Sequence, residues 1–394
     1  MKIGILTFHR AYNYGAVLQA YGLFTFVKKQ KFTVEFIDYW PKYHSSRYQI
    51  FSLFYIFSQN TLSKKIRAFL FSVFLLIFKF KIFKKRVDKF DYFIYHYLNF
   101  YRKNLEKPLT ANSYYDAIIY GSDQIWRYDD FLGYNYPNKW LTGLDEVYLG
   151  GSLSNVTNKK PKRIAYAGSM GDWFVPNMHD FMNILRNRFD FISVRENWLH
   201  IFLTKSDLRN QLVLDPIFLL TKKEWISIAI KSSFRNTIRK GKYILFYNLK
   251  SYLSRDSRKN RIFLKKLALI CNLDFYEIWS VHPFKRGWCN LEEIGPIDFI
   301  YLIQNAHTVF TNSFHGVAFS ILFEKSFFAL AAHNNWRILS ILETLDLQSR
   351  SMNHAELCEN EFKKARILFK EKQRKKLQEL IKSSKWFLIK SLFF

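Results

Sequence analysis

The stretch MKIGILTFHRAYNYGAVLQAYGLFTFVKKQKFTVEFIDY, residues 1–39, decides the fold. It opens with an apolar strand, Ile3 to Phe8, and a polar turn then leads into a helix from about Asn13 to Lys29. A second strand, Thr33 to Tyr39, follows directly. A strand, a helix and a strand joined by short turns are typical of a βαβ unit, so the N-terminus predicts a parallel sheet.

The same alternation continues toward the C-terminus in two groups, which a basic polar stretch at 231–242 separates. The first group contains the predicted strands 115–120, 163–167, 189–194 and 211–214, with a helix at 177–188. The second group contains strands at 243–247, 275–278 and 308–310, with helices at 260–271 and 297–305. This pattern predicts the α/β class, with one Rossmann-like domain at 1–230 and another at 231–394 that ends in a basic C-terminal helix.

Residues 42–107 interrupt the alternation in the first domain. Their aromatic, basic and helical pattern predicts a helical insertion with two open placements: packed on the domain, or lying on a membrane face through residues 66–86. Basic residues for such docking are Lys81, Lys84, Lys85 and Arg86. The apolar run at 68–78 is about half of the roughly 20 residues that a spanning helix needs, so no transmembrane helix is predicted.

The composition narrows the function classes. The net charge of +28 comes from dispersed basic residues, which favours compositional drift over a nucleic-acid surface, so no nucleic-acid partner is predicted. The three cysteines lack metal-type spacing, and the N-terminus lacks a secretory signal, so a reduced cytoplasmic protein without a metal is expected. The sequence has no G-x-G-x-x-G, P-loop or nucleophile elbow, which argues against a bound dinucleotide cofactor.

Polar residues after strands are the candidates for a site, because ligands of open α/β sheets gather beyond the carboxyl ends of the strands. The turn Asn312-Ser313-Phe314-His315-Gly316 leaves a strand and opens a helix, where backbone N–H groups favour an anion. His315 can exchange protons near neutral pH, and Gly316 allows close approach to the backbone. The alternative is a hydrogen-bonded turn histidine with Ser313 as the helix cap.

Two further strand ends and the first βα turn supply the remaining candidates. Arg195 follows a strand directly and can direct two donors onto a carboxylate or phosphate, although pairing with Glu196 is an alternative. Asp123 can bind a hydroxyl or a cation, or cap a helix N-terminus, and its position alone favours the cap. His9 and Asn13 border the first βα turn.

Seven segments together resemble the polysaccharide pyruvyl transferase family. They are NYGAVLQAYGL (13–23), YDAIIYGSDQIW (115–126), RIAYAGSMG (163–171), ISVRE (192–196), VLDPIFLL (213–220), LIQNAHTVFTNSFHGVAFSILFEKSFF (302–328) and NWRILSILETLDLQSR (335–350). Their order and spacing over most of the chain carry the resemblance. It implies a fold similar to the two-domain GT-B architecture, with two sheets facing a cleft.

The resemblance also implies a reaction. Members of the family transfer a pyruvyl group from phosphoenolpyruvate, as donor substrate, to a sugar hydroxyl pair of a surface polysaccharide or its precursor. His315 would be the general acid, and Arg195 would hold the negative groups of the donor. Further donor-side residues would be Asn312, Ser313, Phe314, Gly316 and Arg337, and acceptor-side residues would be His9, Asn13 and Asp123.

Other partners and functions stay open at this point. The glycan acceptor could be lipid-linked, with the enzyme in peripheral contact with the inner face of the membrane. The alternative function is a GT-B-like glycosyltransferase that uses a nucleotide-sugar donor. A third hypothesis is a non-enzymatic basic protein that binds a membrane or nucleic acid.

Overall fold

The computed structural model describes residues 1–45, 48, 56, 61–78, 80–100, 115–128, 144–151, 161–171, 177–249, 255–279, 291, 293–330, 335–352 and 369–394. The strands are β1 (Lys2–Leu6), β2 (Thr33–Phe36), β3 (Ala117–Asp123), β4 (Lys162–Gly168), β5 (Phe191–Val194), β6 (Gln211–Leu212), β7 (Tyr243–Asn248), β8 (Asp274–Trp279), β9 (Thr308–Thr311) and β10 (Ser326–Ala329). The helices are α1 (Tyr14–Lys29), α2 (Lys42–Ser45), α3 (Leu62–Phe78), α4 (Phe80–Tyr97), α5 (Met178–Arg188), α6 (Asn197–Lys205), α7 (Lys222–Ala229), α8 (Arg255–Ile270), α9 (Pro296–Asn305), α10 (Phe314–Leu322), α11 (Trp336–Thr344) and α12 (Glu371–Phe393). Two 3₁₀ turns, Pro216–Leu219 and Gln348–Arg350, complete the described elements.

The first sheet has six parallel strands in the order β2-β1-β3-β4-β5-β6. The βαβ unit predicted at the N-terminus forms its start, with Ile3 paired to Val34 on one side and to Ala117 on the other. Six of the seven residues of β3 are buried. This fits a central parallel strand, because helices cover both faces of such a sheet.

The second sheet has four parallel strands in the order β10-β9-β7-β8. Its central strand β7 is buried along its whole length. Two parallel sheets, each flanked by helices, confirm the predicted α/β class with two Rossmann-like units. The elements also run close to their predicted bounds, although β6 is only two residues long before the chain bends toward Asp215.

The C-terminal helix α12 packs on the first sheet, although the sequence analysis assigned it to the second domain. Ser384 Oγ accepts a hydrogen bond from the Leu214 amide at 2.8 Å, and Gln211 Nε2 donates to Ser383 Oγ at 2.8 Å. The rings of Tyr166 and Phe387 also meet at a centroid distance of 6.4 Å. The helix therefore ties the end of the chain back to the edge of the first sheet.

The predicted helical insertion contains α3 and α4. Helix α4 reaches the second domain, where Lys89 Nζ lies 2.8 Å from Asp298 Oδ2 on α9. Its Phe90 also packs against Tyr14 on α1, at a centroid distance of 5.2 Å. Helix α4 therefore bridges the two domains beside the first turn of α1. Among the described helices, none combines the length and apolar character needed to cross a membrane.

Candidate active site

The candidate site lies at the carboxyl edge of the first sheet, where successive strands end in polar residues. Ser122 closes the buried part of β3, and Ser169 follows β4. Arg195 follows β5, and Asp215 stands after β6. A β-bulge between Ala165 and Gly168 immediately precedes Ser169. Bulges often redirect side chains next to active sites, and this one precedes a serine that contacts Arg195.

The Arg195 guanidinium is enclosed by protein oxygens. Its Nη1 donates to Asp215 Oδ2 at 2.7 Å, and its Nε donates to Glu196 Oε1 at 3.1 Å. Its Nη2 donates to Ser169 Oγ at 3.3 Å and lies 3.6 Å from Asp123 Oδ1. All three guanidinium nitrogens therefore have protein partners, and the alternative pairing with Glu196 is present. A contact between Arg195 and the donor stays a prediction.

Burial and charge act in opposite directions on this cluster. Burial raises the pKa of the Glu196 carboxyl, and Arg195 offsets only part of that rise. Burial also acts to raise the pKa of Asp215, but His315 and then Arg195 outweigh it and lower that pKa to about 2. For Arg195, burial alone would lower the pKa, whereas Glu196, Asp215 and Asp123 raise it above its ordinary value. Asp215 is therefore ionised at neutral pH, next to a permanently charged arginine.

His315 reaches Asp215 from the second domain. It lies in the first turn of α10, whose N-cap Ser313 accepts from the Gly316 amide at 3.4 Å, so the predicted capping role of Ser313 is confirmed. The His315 Nε2 is 3.5 Å from Asp215 Oδ2 and has no hydrogen-bond partner within the described part of the chain. At 3.5 Å the contact is too long for a good hydrogen bond. The imidazole therefore retains a nitrogen that can exchange a proton.

Gly15 makes this approach possible. A Cβ at position 15 would overlap the His315 imidazole and would lie only 2.6 Å from its Cε1. Asn13 caps α1 by accepting from the Ala16 amide at 3.2 Å, and so fixes the helix turn that carries Gly15. The acceptor-side candidate Asn13 is thus a helix cap whose turn contacts His315. Any larger residue at position 15 would push the histidine away from Asp215.

A model of the family described as polysaccharide pyruvyl transferase matches residues 13–334. The match covers most of the chain and includes every residue of the cluster described above. This chain belongs to the polysaccharide pyruvyl transferase family. Family membership confirms the resemblance seen in the sequence, and it favours an enzyme over a non-enzymatic binding protein.

Comparison with solved structures found distant likenesses. Two structures of UDP-GlcNAc 2-epimerase from Methanocaldococcus jannaschii, one with UDP-GlcNAc and UDP, share 12% and 13% identity, with TM-scores of 0.46 and 0.47. In both, the alignment covers 95% of this chain and 94% of the other. The UDP-N-acetylglucosamine 2-epimerase from Rickettsia bellii shares 11% identity over 98% and 97% of the chains, with a TM-score of 0.40. Comparison with curated proteins found no match.

The donor-side candidates of this pyruvyl transferase family member surround the cluster. Phe314 places its ring 4.4 Å from the Arg195 guanidinium carbon, in cation–π contact. Arg337, on α11, donates to the Gln124 side chain at 2.8 Å when the amide oxygen faces it. Burial raises the pKa of the nearby Glu196, and the charge of Arg337 offsets a small part of that rise. Asn312 accepts from the Leu249 amide at 2.7 Å, so it holds the end of β7. The structure therefore brings Phe314 and Arg337 to the cluster and gives Asn312 a structural partner.

The acceptor-side candidates are placed differently from one another. Asp123 joins the cluster through Arg195, and its φ of +72° is a left-handed backbone conformation. His9 is buried against Phe36 and Phe100, and its Nδ1 lies 2.9 Å from the Thr7 carbonyl oxygen. Burial lowers the pKa of His9 to about 4. His9 is therefore a neutral interior histidine at pH 7, and its predicted role toward the acceptor stays a prediction.

Asp215 and Gly15 are the main residues that the sequence analysis did not select. Both stood in segments that it quoted, VLDPIFLL and NYGAVLQAYGL. The available signal for Asp215 was its position after a strand and before a proline, at the same sheet edge as Arg195. Among the described residues, no three His, Cys, Asp or Glu side chains are arranged to hold a metal ion.

Proposed function

We propose that this protein transfers the pyruvyl group of phosphoenolpyruvate to a pair of sugar hydroxyls, with His315 as the general acid. The observation that carries the proposal is the buried His315–Asp215 pair at the carboxyl edge of the first sheet, with Nε2 lacking a hydrogen-bond partner in the described chain. A protonated imidazole beside an ionised carboxylate is a suitable proton donor near neutral pH. Family membership supports the reaction class.

The chemistry follows from the polarity of the donor. A proton from His315 adds to the methylene carbon of phosphoenolpyruvate, which becomes a methyl group, and the adjacent C2 becomes electrophilic. One sugar hydroxyl forms a bond to C2 and releases its proton, and the C2–O bond to phosphate then breaks. The second hydroxyl attacks C2, passes its proton to the released phosphate and closes the ketal, so the products are a pyruvylated sugar and inorganic phosphate.

Asp215 and Arg195 would act through His315. The Asp215 carboxylate stabilises the positive charge of the imidazolium, because its pKa of about 2 keeps it ionised throughout the neutral range. Arg195 holds that carboxylate in place at 2.7 Å. Around His315, the first turn of α10 directs backbone N–H groups toward the site, where they favour the negative charge of the donor.

Solvent deuterium tests the proton transfer directly. With the enzyme in D₂O, proton transfer to the methylene carbon should place one deuterium in the methyl group of the ketal. Acid hydrolysis of the product and mass spectrometry of the released pyruvate would show that label. His315→Gln should bind phosphoenolpyruvate within a few fold of wild type and form no labelled ketal, whereas a fully active His315→Gln would refute the assignment.

Calorimetry separates this function from the alternative glycosyltransferase. Wild type should bind phosphoenolpyruvate and should not bind UDP-sugars, because the proposed donor has no nucleoside. If a UDP-sugar binds and phosphoenolpyruvate does not, the donor is wrong and the glycosyltransferase alternative replaces it. The fold and the His315–Asp215 pair would be unaffected by that result.

We further propose that α3 docks the enzyme on an anionic membrane surface that presents a lipid-linked acceptor. One face of α3 carries large apolar side chains that remain exposed: Leu62 (73%), Ile66 (52%), Leu70 (61%) and Ile77 (67%). The exposed Lys81 and Lys84 continue this surface on α4. Of the remaining basic residues, Lys85 pairs with Glu293 at 2.9 Å, and Arg86 is buried, so the sequence-based assignment of Arg86 to the docking surface is wrong.

Vesicle sedimentation tests the docking surface. Wild type should bind vesicles that contain phosphatidylglycerol more strongly than vesicles of phosphatidylcholine alone, because anionic lipid attracts Lys81 and Lys84. The double variant Ile66→Ser/Leu70→Ser should lose binding while keeping its activity on a soluble acceptor. Leu269→Ser is the matched control, since Leu269 is 80% exposed on α8 of the other domain. Equal loss of binding in the control, or unchanged binding in the α3 variant, would refute the docking surface.

A further inference from the structure

Arg86 on α4 is a buried cation with unsatisfied donors on two of its three guanidinium nitrogens. Arg86 is only 1% exposed, and its Nε and Nη1 both lack a hydrogen-bond partner within the described part of the chain. A buried charge without a partner is costly, because it has lost its hydration and gained no protein contact in return. Arg195, by contrast, has protein oxygens at all three guanidinium nitrogens. Arg86 is therefore a stronger candidate than Arg195 for a contact that only a ligand supplies.

Tyr247 links Arg86 with the first turn of α10. Its charge acts on the Tyr247 phenol, where it opposes part of the rise in pKa that burial produces. The Tyr247 hydroxyl in turn interacts with the side chain of Ser313, the N-cap of α10. A Cβ on Gly316 would lie 3.0 Å from Tyr247 Cδ1, so the tyrosine ring packs directly on the α10 turn. Tyr247 thus connects Arg86 with the turn that carries His315.

A second path of contacts leads from α4 to the same turn. Phe90 lies one helical turn after Arg86, on the same face of α4, and its ring is 5.2 Å from that of Tyr14. Tyr14 immediately precedes Gly15, the residue against which His315 packs. The Tyr14 ring also lies 6.0 Å from Tyr247. Phe90 thus holds helix α4 against α1, and Tyr14 links that contact with Tyr247 on β7.

We propose that Arg86 binds an oxyanion of the donor, phosphoryl or carboxylate, together with the backbone N–H groups at the start of α10. The proposal rests on the proposed function for the identity of the donor. An arginine can direct two N–H donors to one oxyanion, and the helix N-terminus adds further donors from the other side. The residue comes from the insertion at 42–107, which contributes little to the family resemblance, so the insertion would supply part of the donor site.

The test combines affinity with stability, because an anion-binding arginine and a structural arginine differ in both. Calorimetry with phosphoenolpyruvate, inorganic phosphate and pyruvate would compare wild type, Arg86→Met, Arg86→Lys and the exposed neighbour Lys84→Met. Arg86→Met should weaken phosphoenolpyruvate binding by about 10- to 100-fold, the usual loss for a charge-assisted hydrogen bond. Arg86→Lys should retain part of the affinity, and Lys84→Met should match wild type. If Arg86→Met loses affinity for inorganic phosphate but not for pyruvate, Arg86 holds the phosphoryl group. If it loses affinity for pyruvate but not for phosphate, Arg86 holds the carboxylate.

Thermal melting without ligand supplies the second readout. Arg86→Met should melt at the same temperature as wild type or higher, because it removes an unpaired buried charge. A lower melting temperature with unchanged affinity would overturn the proposal and make Arg86 structural. If Arg86→Met does not fold, unchanged affinity in Arg86→Lys would overturn it as well.

If wild type binds phosphate or a UDP-sugar through Arg86 but not phosphoenolpyruvate, the oxyanion site stands and the proposed donor fails. If wild type binds none of these ligands, both fail.

Discussion

Replacing Gly15 with alanine should displace His315, and the size of the effect follows from one distance. The added Cβ would lie 2.6 Å from His315 Cε1. Non-bonded carbon atoms prefer about 3.5–4.0 Å, so the imidazole has to move by at least about 1 Å, and its Nδ1 and Cγ, which lie closer to the added Cβ than Cε1 does, add to that displacement. Such overpacking typically costs about 1–3 kcal/mol. Alanine in a helix is favoured over glycine by up to about 1 kcal/mol, which offsets part of that cost.

A double-mutant cycle isolates the contact. In a His315→Ala background the imidazole is absent, so the methyl group has room and Gly15→Ala should be neutral or slightly stabilising. Urea unfolding of wild type, both single variants and the double variant should therefore give a coupling energy of about 1–3 kcal/mol between positions 15 and 315. A coupling near zero would refute the reasoning, because it would mean that the imidazole does not pack on residue 15.

Activity should fall along with the displacement. A misplacement of about 1 Å can reduce a rate by roughly 100-fold, which equals about 2.7 kcal/mol of transition-state stabilisation. Phosphate release from phosphoenolpyruvate, measured with the best acceptor of a soluble glycoside panel, would report that loss for Gly15→Ala. Full activity in Gly15→Ala, despite a measured coupling, would show that the position of His315 does not limit the reaction.

The remaining predictions concern three buried ionisable residues, Asp215, Arg195 and His9. Asp215→Asn should lower kcat by at least about 100-fold because the His315 imidazolium loses its counter-charge, and unchanged phosphate release would contradict this. The pKa of Asp215 is about 2 in the folded protein and lies below the ordinary 3.8. Wild type should therefore lose about 2 kcal/mol of stability as the pH falls from 4 to 2, and Asp215→Asn should lack this loss in urea unfolding at acid pH. Arg195→Met should lower the free energy of unfolding by about 3–5 kcal/mol, since three carboxylates lose their shared cation, and Arg195→Lys should lose less in the same denaturation experiment. His9 has its pKa lowered by burial from 6.5 to about 4, so wild type should lose about 3 kcal/mol as pH falls from 6.5 to 4, and His9→Gln should lack this slope in urea unfolding at stepped pH.

The fold could be predicted from the sequence because local patterns report local structure. Apolar runs such as Ile3 to Phe8, followed by a helical period, indicate a βαβ unit without any knowledge of the rest of the chain. The carboxyl ends of parallel strands lie at one edge of the sheet, so residues after strands were the right places to search. That rule selected Arg195, Asp123 and the turn with His315, and the structure brings all three together.

The partners of those residues could not be predicted, because they depend on how distant segments close on one another. His315 meets Asp215 and Gly15 only when the second domain packs against the first, and the three residues lie far apart in the sequence. Arg86 is buried as well, although the sequence analysis had placed it on an exposed docking surface. Residue types and their order along the chain therefore determined the sheets and the candidate turns. Tertiary packing decided which charges are neutralised and which remain unpaired, since burial and counter-charge are properties of the closed structure.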